Sequence, residues 1–322
     1  MALLGIDLGG TKVAFALFDR EGNILDRETL TLDSRRDSEV GHLITVTAAL
    51  MLSRAGKNGD AAEAVGISVP GISRRERGTV WAPNIPGWDD YPLMKEMQGV
   101  ADGIPVVIES DRSCYISGEI WKGSAQGCRD AVYLGVGTGI GAGIIINGEI
   151  LHGAHDIAGA VGWMALSRPF ESRYAVCGNF EYYASGEGIA RQAAEYLEKH
   201  SEYQGDLRRS ENVKITTQDV FNAWKKGDAP ASRIIDLAVE YWGMASANLV
   251  SIFNPEKIIF GGGVFGPAVE LIPAIKLEAE KWAQPISIKQ AAFEPSALTG
   301  DAGIFGASWL AMKHLDRQQE NR

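Results

Sequence analysis

The sequence predicts an α/β protein of two lobes, each built around a mixed, largely parallel β-sheet. The chain of 322 residues is long enough to bury two sizeable cores. A strand–glycine turn–strand pattern occurs over 5–25 and again over 133–150. Helical and extended patterns alternate between and after these two copies, which is typical of sheets whose strands are joined by helices.

The first copy places a carboxylate at the mouth of a turn that is almost bare of side chains. An apolar strand delivers Asp7, the turn contains Gly9 and Gly10, and Thr11 and Lys12 follow. Exposed backbone N–H groups, a hydroxyl and a positive charge suit a polyphosphate, and the aspartate suits Mg²⁺. The pattern predicts a phosphate site, with an ordinary tight hairpin as the alternative interpretation.

Two further glycine turns follow apolar strands. The second copy contains Gly137, Thr138 and Gly139, and Gly261 and Gly262 end a later strand. Three such turns are explained if their N–H groups bind one phosphate chain. Residues 261–266 also satisfy Gly-x-Gly-x-x-Gly, so an NAD or flavin enzyme is an alternative. That fingerprint normally opens the first βαβ unit, however, and here it lies near the C-terminus.

The remaining elements follow from residue patterns. Apolar residues at helical spacing predict a helix over 37–53, and apolar runs predict strands over 64–71, running into a turn, and over 105–111. Further helices are predicted over 114–121, 186–200, 217–225 and 231–253, with a last helix following Asp301.

Asp111 is the candidate catalytic base. It stands at the polar end of the strand over 105–111, where open α/β sheets place their ligands. In phosphoryl transfer an aspartate accepts the proton of the acceptor hydroxyl and holds that hydroxyl in line with the γ-phosphate. The alternative interpretation is that Asp111 only caps the helix that begins near Arg112.

Composition and charge argue against two classes of partner, nucleic acids and membranes. A net charge of −10 with no run of Lys or Arg argues against a nucleic-acid surface. No apolar run approaches the roughly 18 residues of a membrane span. The presence of only three cysteines argues against a disulfide framework, and we expect a cytoplasmic protein.

Taken together, these segments resemble the ROK family of sugar kinases, within the actin-like and hexokinase-like ATPase group. The matching segments are 7–12, 69–71, 82–84 with 87–88, Asp111 with 118–119, 134–143, 254–263, and 300–303 with 306–307. The resemblance implies two actin-like (ribonuclease H-like) lobes around a nucleotide and sugar cleft. The small lobe would contain 1–117 and a returning C-terminal helix over 301–316, and the large lobe 118–300.

The resemblance also implies ATP and Mg²⁺ as cofactors and assigns the site residues. The phosphates and the metal would be bound by Asp7, Gly9, Gly10, Thr11, Lys12, Gly137, Thr138 and Gly139. Gly261 and Gly262 would line the adenosine side, and Asp111 would be the base. The sugar would lie near Gly71, Asn84, Ser110, His155, Trp163 and Glu181.

Three positions depart from the family pattern. The family usually has Asn where Ser110 stands, Glu where Ala160 stands and His where Trp163 stands. In the family that His joins three cysteines around a structural zinc, whereas here only Cys177 remains of the set. One cysteine cannot complete a four-ligand site, so we expect no structural zinc.

These departures predict altered sugar selection. Each lost hydrogen bond is worth about 0.5–1.5 kcal/mol net, which argues against glucose, N-acetylglucosamine or N-acetylmannosamine as the substrate. Trp163 either stacks on the sugar ring or fills the volume vacated by the imidazole and the zinc. His155 either reaches the substrate or is a surface histidine.

The sequence therefore predicts an ATP-dependent kinase of a sugar or sugar-like polyol. The alternative is a sugar-binding or regulatory protein without catalysis, since the family also contains repressors. Met1 directly precedes the first strand, which leaves no room for an N-terminal helix-turn-helix, and the ATP-handling residues are kept. We expect a small-molecule sugar partner and a homodimer, as is common in the family, with no nucleic-acid or membrane partner.

Overall fold

A computed structural model describes residues 2–57, 59–208 and 214–320 of the chain. Its strands are β1 (Ala2–Leu8), β2 (Lys12–Phe18), β3 (Ile24–Thr31), β4 (Ala62–Val69), β5 (Ile72–Arg74), β6 (Thr79–Trp81), β7 (Val106–Ser110), β8 (Ala131–Val136), β9 (Ile140–Ile146), β10 (Glu149–Ile150), β11 (Lys257–Gly261) and β12 (Ala292–Pro295). Its α-helices are α1 (Ser38–Lys57), α2 (Leu93–Val100), α3 (Asp111–Lys122), α4 (Asn179–Ala184), α5 (Gly186–Lys199), α6 (Thr217–Lys225), α7 (Ala229–Phe253), α8 (Ile272–Glu280), α9 (Ser287–Gln290) and α10 (Ala302–Glu320).

The chain divides into two compact units. Unit 1 contains Met1–Gly127, Ile150–Ala158 and Ala297–Arg322, and unit 2 contains Cys128–Glu149 and Gly159–Ser296. The boundary predicted after residue 117 falls inside α3, and α3 lies in unit 1 as a whole.

Each unit is built on a five-stranded sheet, and the two sheets have the same order. The order is β3-β2-β1-β4-β7 in unit 1 and β10-β9-β8-β11-β12 in the second sheet. In both sheets the first two strands in the chain are antiparallel, and the later two are parallel additions on the other side. This order confirms the predicted repetition of the strand–turn–strand pattern.

The turn that closes the second meander also follows the sequence. Asn147 and Gly148 both have positive φ, at 55° and 80°, as a type I′ hairpin requires. Asn-Gly is the preferred dipeptide for such a turn because both residues tolerate the left-handed region.

The C-terminal helix α10 completes unit 1. Alternate residues of β1 point to opposite faces of the sheet, so that Leu4 and Ile6 pack in the cluster that contains α1, while Leu3 packs beneath α10. The helix lies very close to the sheet, since a side chain at Gly66 would collide with the carbonyl of Ala307. The end of the chain therefore packs directly beside the strand that begins it.

Within 2–57, 59–208 and 214–320, no helix is both long enough and apolar enough to span a membrane.

Candidate active site

Two carboxylates lie at the same edge of the sheet in unit 1. Asp7 is near the end of β1, and Asp111 directly follows β7. Strands β1, β4 and β7 run parallel, with Asp7 opposite Ser68 and Ser68 opposite Glu109, so their carboxyl ends are level. The negative charge of Asp7 contributes to raising the pKa of Asp111, as expected for two acids that share one edge.

Asp111 is the first residue of α3, and its carboxylate is held within the fold. The backbone N–H of Arg112 donates to Asp111 Oδ1 at 2.8 Å. Burial raises the pKa of Asp111 from 3.8 to about 6, although the positive charge of Arg112 acts in the opposite direction. A carboxyl with a pKa near 6 is ionised at neutral pH yet basic enough to accept a proton.

The alternative interpretation of Asp111 as a helix cap is wrong, because Ser110 is the N-cap of α3. Its Oγ accepts the N–H of Ser113 at 3.4 Å and lies 3.1 Å from the hydroxyl of Ser113. Asp111 therefore does not cap the helix. Ser110 is buried, and its Oγ already accepts the capping hydrogen bond, so a contact with the sugar would have to be made in addition to that bond.

Arg112 ties the base to the loop that follows β4. Its Nη2 donates to the carbonyl of Gly71 at 3.1 Å. Gly71 has φ of +94°, and a side chain there would collide with the carbonyl of Trp81. The structure therefore places Gly71, a predicted sugar contact, against Arg112, the residue next to the candidate base Asp111.

The carboxylate of Asp7 packs against the first turn of α10. A Cβ at Gly303 would lie 2.6–2.7 Å from the Cγ and both oxygens of Asp7. Burial raises the pKa of Asp7, the charge of Lys12 lowers it and that of Asp301 raises it. A carboxylate oxygen in this position fits Mg²⁺, which prefers oxygen ligands and commonly takes one or two carboxylates.

The predicted phosphate turn after β1 is tight and open to solvent. The N–H of Gly9 donates to the carbonyl of Lys12 at 2.9 Å, and Gly10 and Thr11 are exposed. A Cβ at Gly10 would lie 3.4 Å from Cβ of Asn84, so the predicted phosphate and sugar residues meet here. Both line a concavity of about 430 Å³, together with Asp33, Ser34, Arg35, Arg36, Leu32, Ile85 and Pro86.

In unit 2, the turn after β8 is braced from two sides. Its Gly137 N–H donates to the carbonyl of Gly139 at 2.9 Å, and the N–H of Gly186 at the start of α5 donates to the carbonyl of Gly137 at 2.8 Å. On the other side, Glu181 Oε2 accepts the N–H of Ile140 at 2.6 Å. Thr138 lies between the two braced glycines.

Glu181 is held close to this turn. A Cβ at Gly139 would come within 2.7 Å of Glu181 Oε2, and one at Gly162 within 2.9 Å. Burial raises the pKa of Glu181, the Ile140 N–H lowers it and the charge of Glu187 raises it. The structure thus joins a predicted sugar contact to a predicted phosphate turn, a link that sequence patterns did not indicate.

The third glycine turn lies beside the second. Gly262 has φ of +86°, and a side chain there would collide with the carbonyl of Val136 at the end of β8. Gly261 ends β11, which pairs with β8 up to Gly135. The two glycine turns of unit 2 therefore end neighbouring parallel strands, as the prediction of a shared ligand requires.

Two predicted sugar contacts, His155 and Trp163, are exposed. His155 lies in the 150–158 segment of unit 1. The indole of Trp163 is 57% exposed in unit 2, so more than half of it is open to solvent and less than half is available to fill the volume vacated by the imidazole and the zinc.

A hydrogen bond near the base was not predicted from the sequence. His152 Nε2 lies 3.0 Å from Glu109 Oε1, and Glu109 is buried two residues before Asp111. Arg75 Nε also donates to Asp156 Oδ1 at 2.8 Å. These contacts attach the 150–158 segment to unit 1. The sequence feature that could have indicated this contact is Glu109, an acidic residue within an otherwise apolar strand.

The zinc site of the family does not fit the residues of this chain. The thiol of Cys177 donates to the carbonyl of Gly178 at 3.8 Å. Within the described ranges, no group of three or more His, Cys, Asp or Glu side chains is arranged to hold a metal. Four ligands are needed for a structural zinc, so the described residues do not form the site that the family uses.

Comparisons with known proteins agree with this geometry. A family model described as the ROK family matches residues 3–314. A glucokinase of Halalkalibacterium halodurans is 34% identical over 326 residues, covering 99% of this chain and 96% of that protein. A xylose repressor of Caldicellulosiruptor bescii is 32% identical over 267 residues, covering 81% of this chain and 65% of that protein.

The fold is similar to that of a solved family member. The structure of a ROK family glucokinase from Streptomyces griseus, in complex with glucose and AMPPNP, matches with a TM-score of 0.76 and 29% identity. The match covers 97% of this chain and all of that one. The predicted α/β class with two actin-like lobes is confirmed.

Proposed function

Since the chain belongs to the ROK family, we propose that this carbohydrate kinase transfers the γ-phosphoryl group of ATP to a hydroxyl of a sugar or sugar-like polyol. The observation that carries the proposal is the half-buried Asp111, which lies at the sheet edge that also holds Asp7 and has its pKa raised to about 6. Helix capping does not explain Asp111, because Ser110 performs that role.

Asp111 acts as the general base. Its carboxylate accepts the proton of the sugar hydroxyl while the hydroxyl oxygen bonds to the γ-phosphorus and the bond to the ADP oxygen breaks. The N–H of Arg112 donates to Oδ1, and the hydroxyl of Tyr115 donates at 3.5 Å to Oδ2, the oxygen that accepts the proton. The Arg112 side chain fixes the Gly71 loop beside the base.

Backbone N–H groups, two hydroxyls and one positive charge are the candidate ligands of the phosphate chain. Unit 1 offers the N–H groups of Gly10 and Thr11, the Thr11 hydroxyl and the Lys12 charge, and unit 2 offers Thr138, Gly139, Gly261 and Gly262. The N–H groups of Gly9 and Gly137 already donate to the carbonyls of Lys12 and Gly139, so these two glycines shape their turns. Asp7 would hold Mg²⁺, which when bound neutralises charge that develops on the phosphates. Packing against Gly303 fixes the orientation of that carboxylate.

Sugar selection follows from the three departures in the sequence. Ser110 is used as a helix cap, Ala160 has no polar side chain, and Trp163 presents an exposed indole. An indole binds the apolar face of a ring or an apolar substituent better than it binds an additional hydroxyl. We therefore propose a deoxy, anhydro or substituted sugar in preference to glucose, with Trp163 stacked on the ring.

The test is ADP release with Mg-ATP across hexoses, amino sugars, anhydro sugars, disaccharides and polyols. Asp111→Asn is the inactive variant, and Asp236→Asn, at an exposed position of α7, is the matched control. Turnover on one compound, lost in Asp111→Asn and kept in Asp236→Asn, supports the kinase and identifies its substrate.

The other outcomes are equally informative. Glucose as the best substrate would overturn the proposed selectivity and leave the kinase intact. ATP binding without turnover on any compound would favour the sugar-binding or regulatory alternative. Failure to bind ATP would refute the phosphate assignment itself.

A further inference from the structure

The segment that carries Glu181 is fastened by a buried asparagine. This segment, 164–184 of unit 2, runs from the residue after Trp163 to the end of α4. Asn179 Oδ1 accepts the N–H groups of Leu166 and Ser167 at 2.9 and 3.0 Å, and its Nδ2 donates to Ser167 Oγ at 2.9 Å. One side chain therefore closes a loop of about a dozen residues at three points.

Ser167 extends this fastening to the long helix α7. The hydroxyl of Tyr241 donates to Ser167 Oγ at 2.9 Å. The N–H of Phe180 donates to the carbonyl of Met164 at 3.2 Å, directly beside the asparagine. Phe180 is fully buried in the core of unit 2, so both ends of the loop are tied to packed structure.

A cluster of tyrosines packs against the middle of the segment. The Tyr174 hydroxyl donates to Glu171 Oε1 at 2.7 Å and lies 2.9 Å from the Tyr183 hydroxyl. The rings of Tyr174 and Tyr182 are 5.6 Å apart and edge-to-face, and those of Tyr183 and Tyr241 are 4.9 Å apart. Such ring pairs stabilise by more than the area they bury.

Arg173 contacts both a carboxylate and an aromatic ring of this segment. Its Nη2 donates to Glu171 Oε1 at 2.9 Å, and its guanidinium lies 5.0 Å from the centre of the Tyr182 ring. The segment thus contains a hydrogen-bonded and aromatic network around the position at which Cys177 stands without the other zinc ligands.

We propose that Asn179 and the tyrosine cluster, and no metal ion, fasten the 164–184 segment, and that Asn179 is a positioning residue for Glu181. Glu181 lies two residues beyond Asn179 on α4, with its carboxylate against the Gly139 turn at the Ile140 N–H. Loosening Asn179 therefore moves Glu181 without removing any atom from it. The effect on sugar affinity rests on the proposed function.

The experiment compares Asn179→Ala, Asn179→Asp and Asn222→Ala in the full chain. Aspartate keeps the acceptor oxygens for both N–H groups, whereas alanine removes them. Asn222 is the matched control, an exposed amide on α6 of the same unit. Zinc content of the purified protein, hydrogen exchange of 164–184 before and after EDTA treatment, and KM for sugar and for ATP are measured.

Metal-free protein with unchanged exchange after EDTA is the expected result. In Asn179→Ala, exchange within 164–184 should quicken about tenfold or more and the sugar KM should rise about tenfold, with the ATP KM within about twofold. Asn179→Asp should restore both to within about threefold, and Asn222→Ala should change neither.

Different results would refute the proposal about Asn179 and the proposed function. About one zinc per chain, whose removal quickens exchange in 164–184, would overturn the proposal. So would unchanged exchange in Asn179→Ala. If exchange quickens but the sugar KM does not change, the positioning role is refuted. If no sugar is phosphorylated by the unaltered chain, the proposed function fails while zinc content and exchange still decide the fastening.

Discussion

Replacing Asp111 with asparagine should lower activity and at the same time raise stability. The side chain keeps its shape but loses the negative charge and the ability to accept a proton. In the folded protein, burial raises the pKa of Asp111 from 3.8 to about 6. At about 1.4 kcal/mol per pKa unit, this difference corresponds to about 3 kcal/mol.

The direction of the stability change follows from proton linkage. The folded protein binds the proton of Asp111 more tightly than the unfolded chain does, so ionisation of Asp111 opposes folding. This cost is absent below about pH 4, grows between about pH 4 and 6 and is complete above. Asp111→Asn should therefore be more stable by about 3 kcal/mol at pH 7.5 and by about half as much at pH 5.

The assays are urea unfolding at both pH values and kcat for the substrate identified by ADP release. We expect kcat of Asp111→Asn to fall by about 10²–10⁴, the usual contribution of a general base. In the unaltered enzyme, kcat/KM should fall below about pH 6 as Asp111 becomes protonated. Asp236→Asn should leave activity and stability unchanged.

Two results would refute this reasoning. An Asp111→Asn variant less stable than the unaltered chain at pH 7.5 would show that the carboxylate stabilises the fold. A kcat/KM that stays constant between pH 5 and 8 would show that no base with a pKa of about 6 takes part.

Three further substitutions test contacts that the backbone makes in and near the site. Gly303→Ala should raise the KM for Mg-ATP about tenfold by displacing the β1 carboxylate, whereas Gly300→Ala, where a Cβ meets no atom within 4 Å, should not change it in the same kinetic assay. Glu119→Gln should lower urea stability by about 2 kcal/mol, because a fully buried carboxylate that accepts three backbone N–H groups is lost; unchanged stability would contradict this. Gly262→Ala should lower urea stability by about 1–3 kcal/mol, because Gly262 has positive φ and its Cβ would collide with β8. Gly263→Ala is the control and should lower stability less, since a Cβ there meets no atom within 4 Å. Equal losses of stability in the two variants would exclude the clash.

Local patterns were sufficient for the elements of the sheets and their turns. The predicted helix over 217–225 is α6 as observed, and the helix predicted over 231–253 differs from α7 only at its start. Asp228 caps α7 and Pro230 occupies its first turn, so the helix begins earlier than its apolar spacing indicates. Helix periodicity, strand alternation and turn dipeptides depend on residues close together in the chain.

The choice between Ser110 and Asp111 as the cap of α3 shows where local patterns become insufficient. Both residues are good caps, and only the backbone geometry at the end of β7 decides that Ser110 takes the N–H of Ser113. The raised pKa of Asp111 depends in turn on how the fold buries it.

The sequence alone determined the α/β class, the repeated meander, the three glycine turns and the position of Asp111 at a strand end, because each is a short-range pattern. Only the tertiary structure decided that Gly303 packs on Asp7, that Glu181 takes the Ile140 N–H and that Asn179 closes its loop on Ser167. These contacts join residues that are far apart in the chain or on a loop without periodicity. Their formation depends on the path of the chain in space, which residue spacing does not encode.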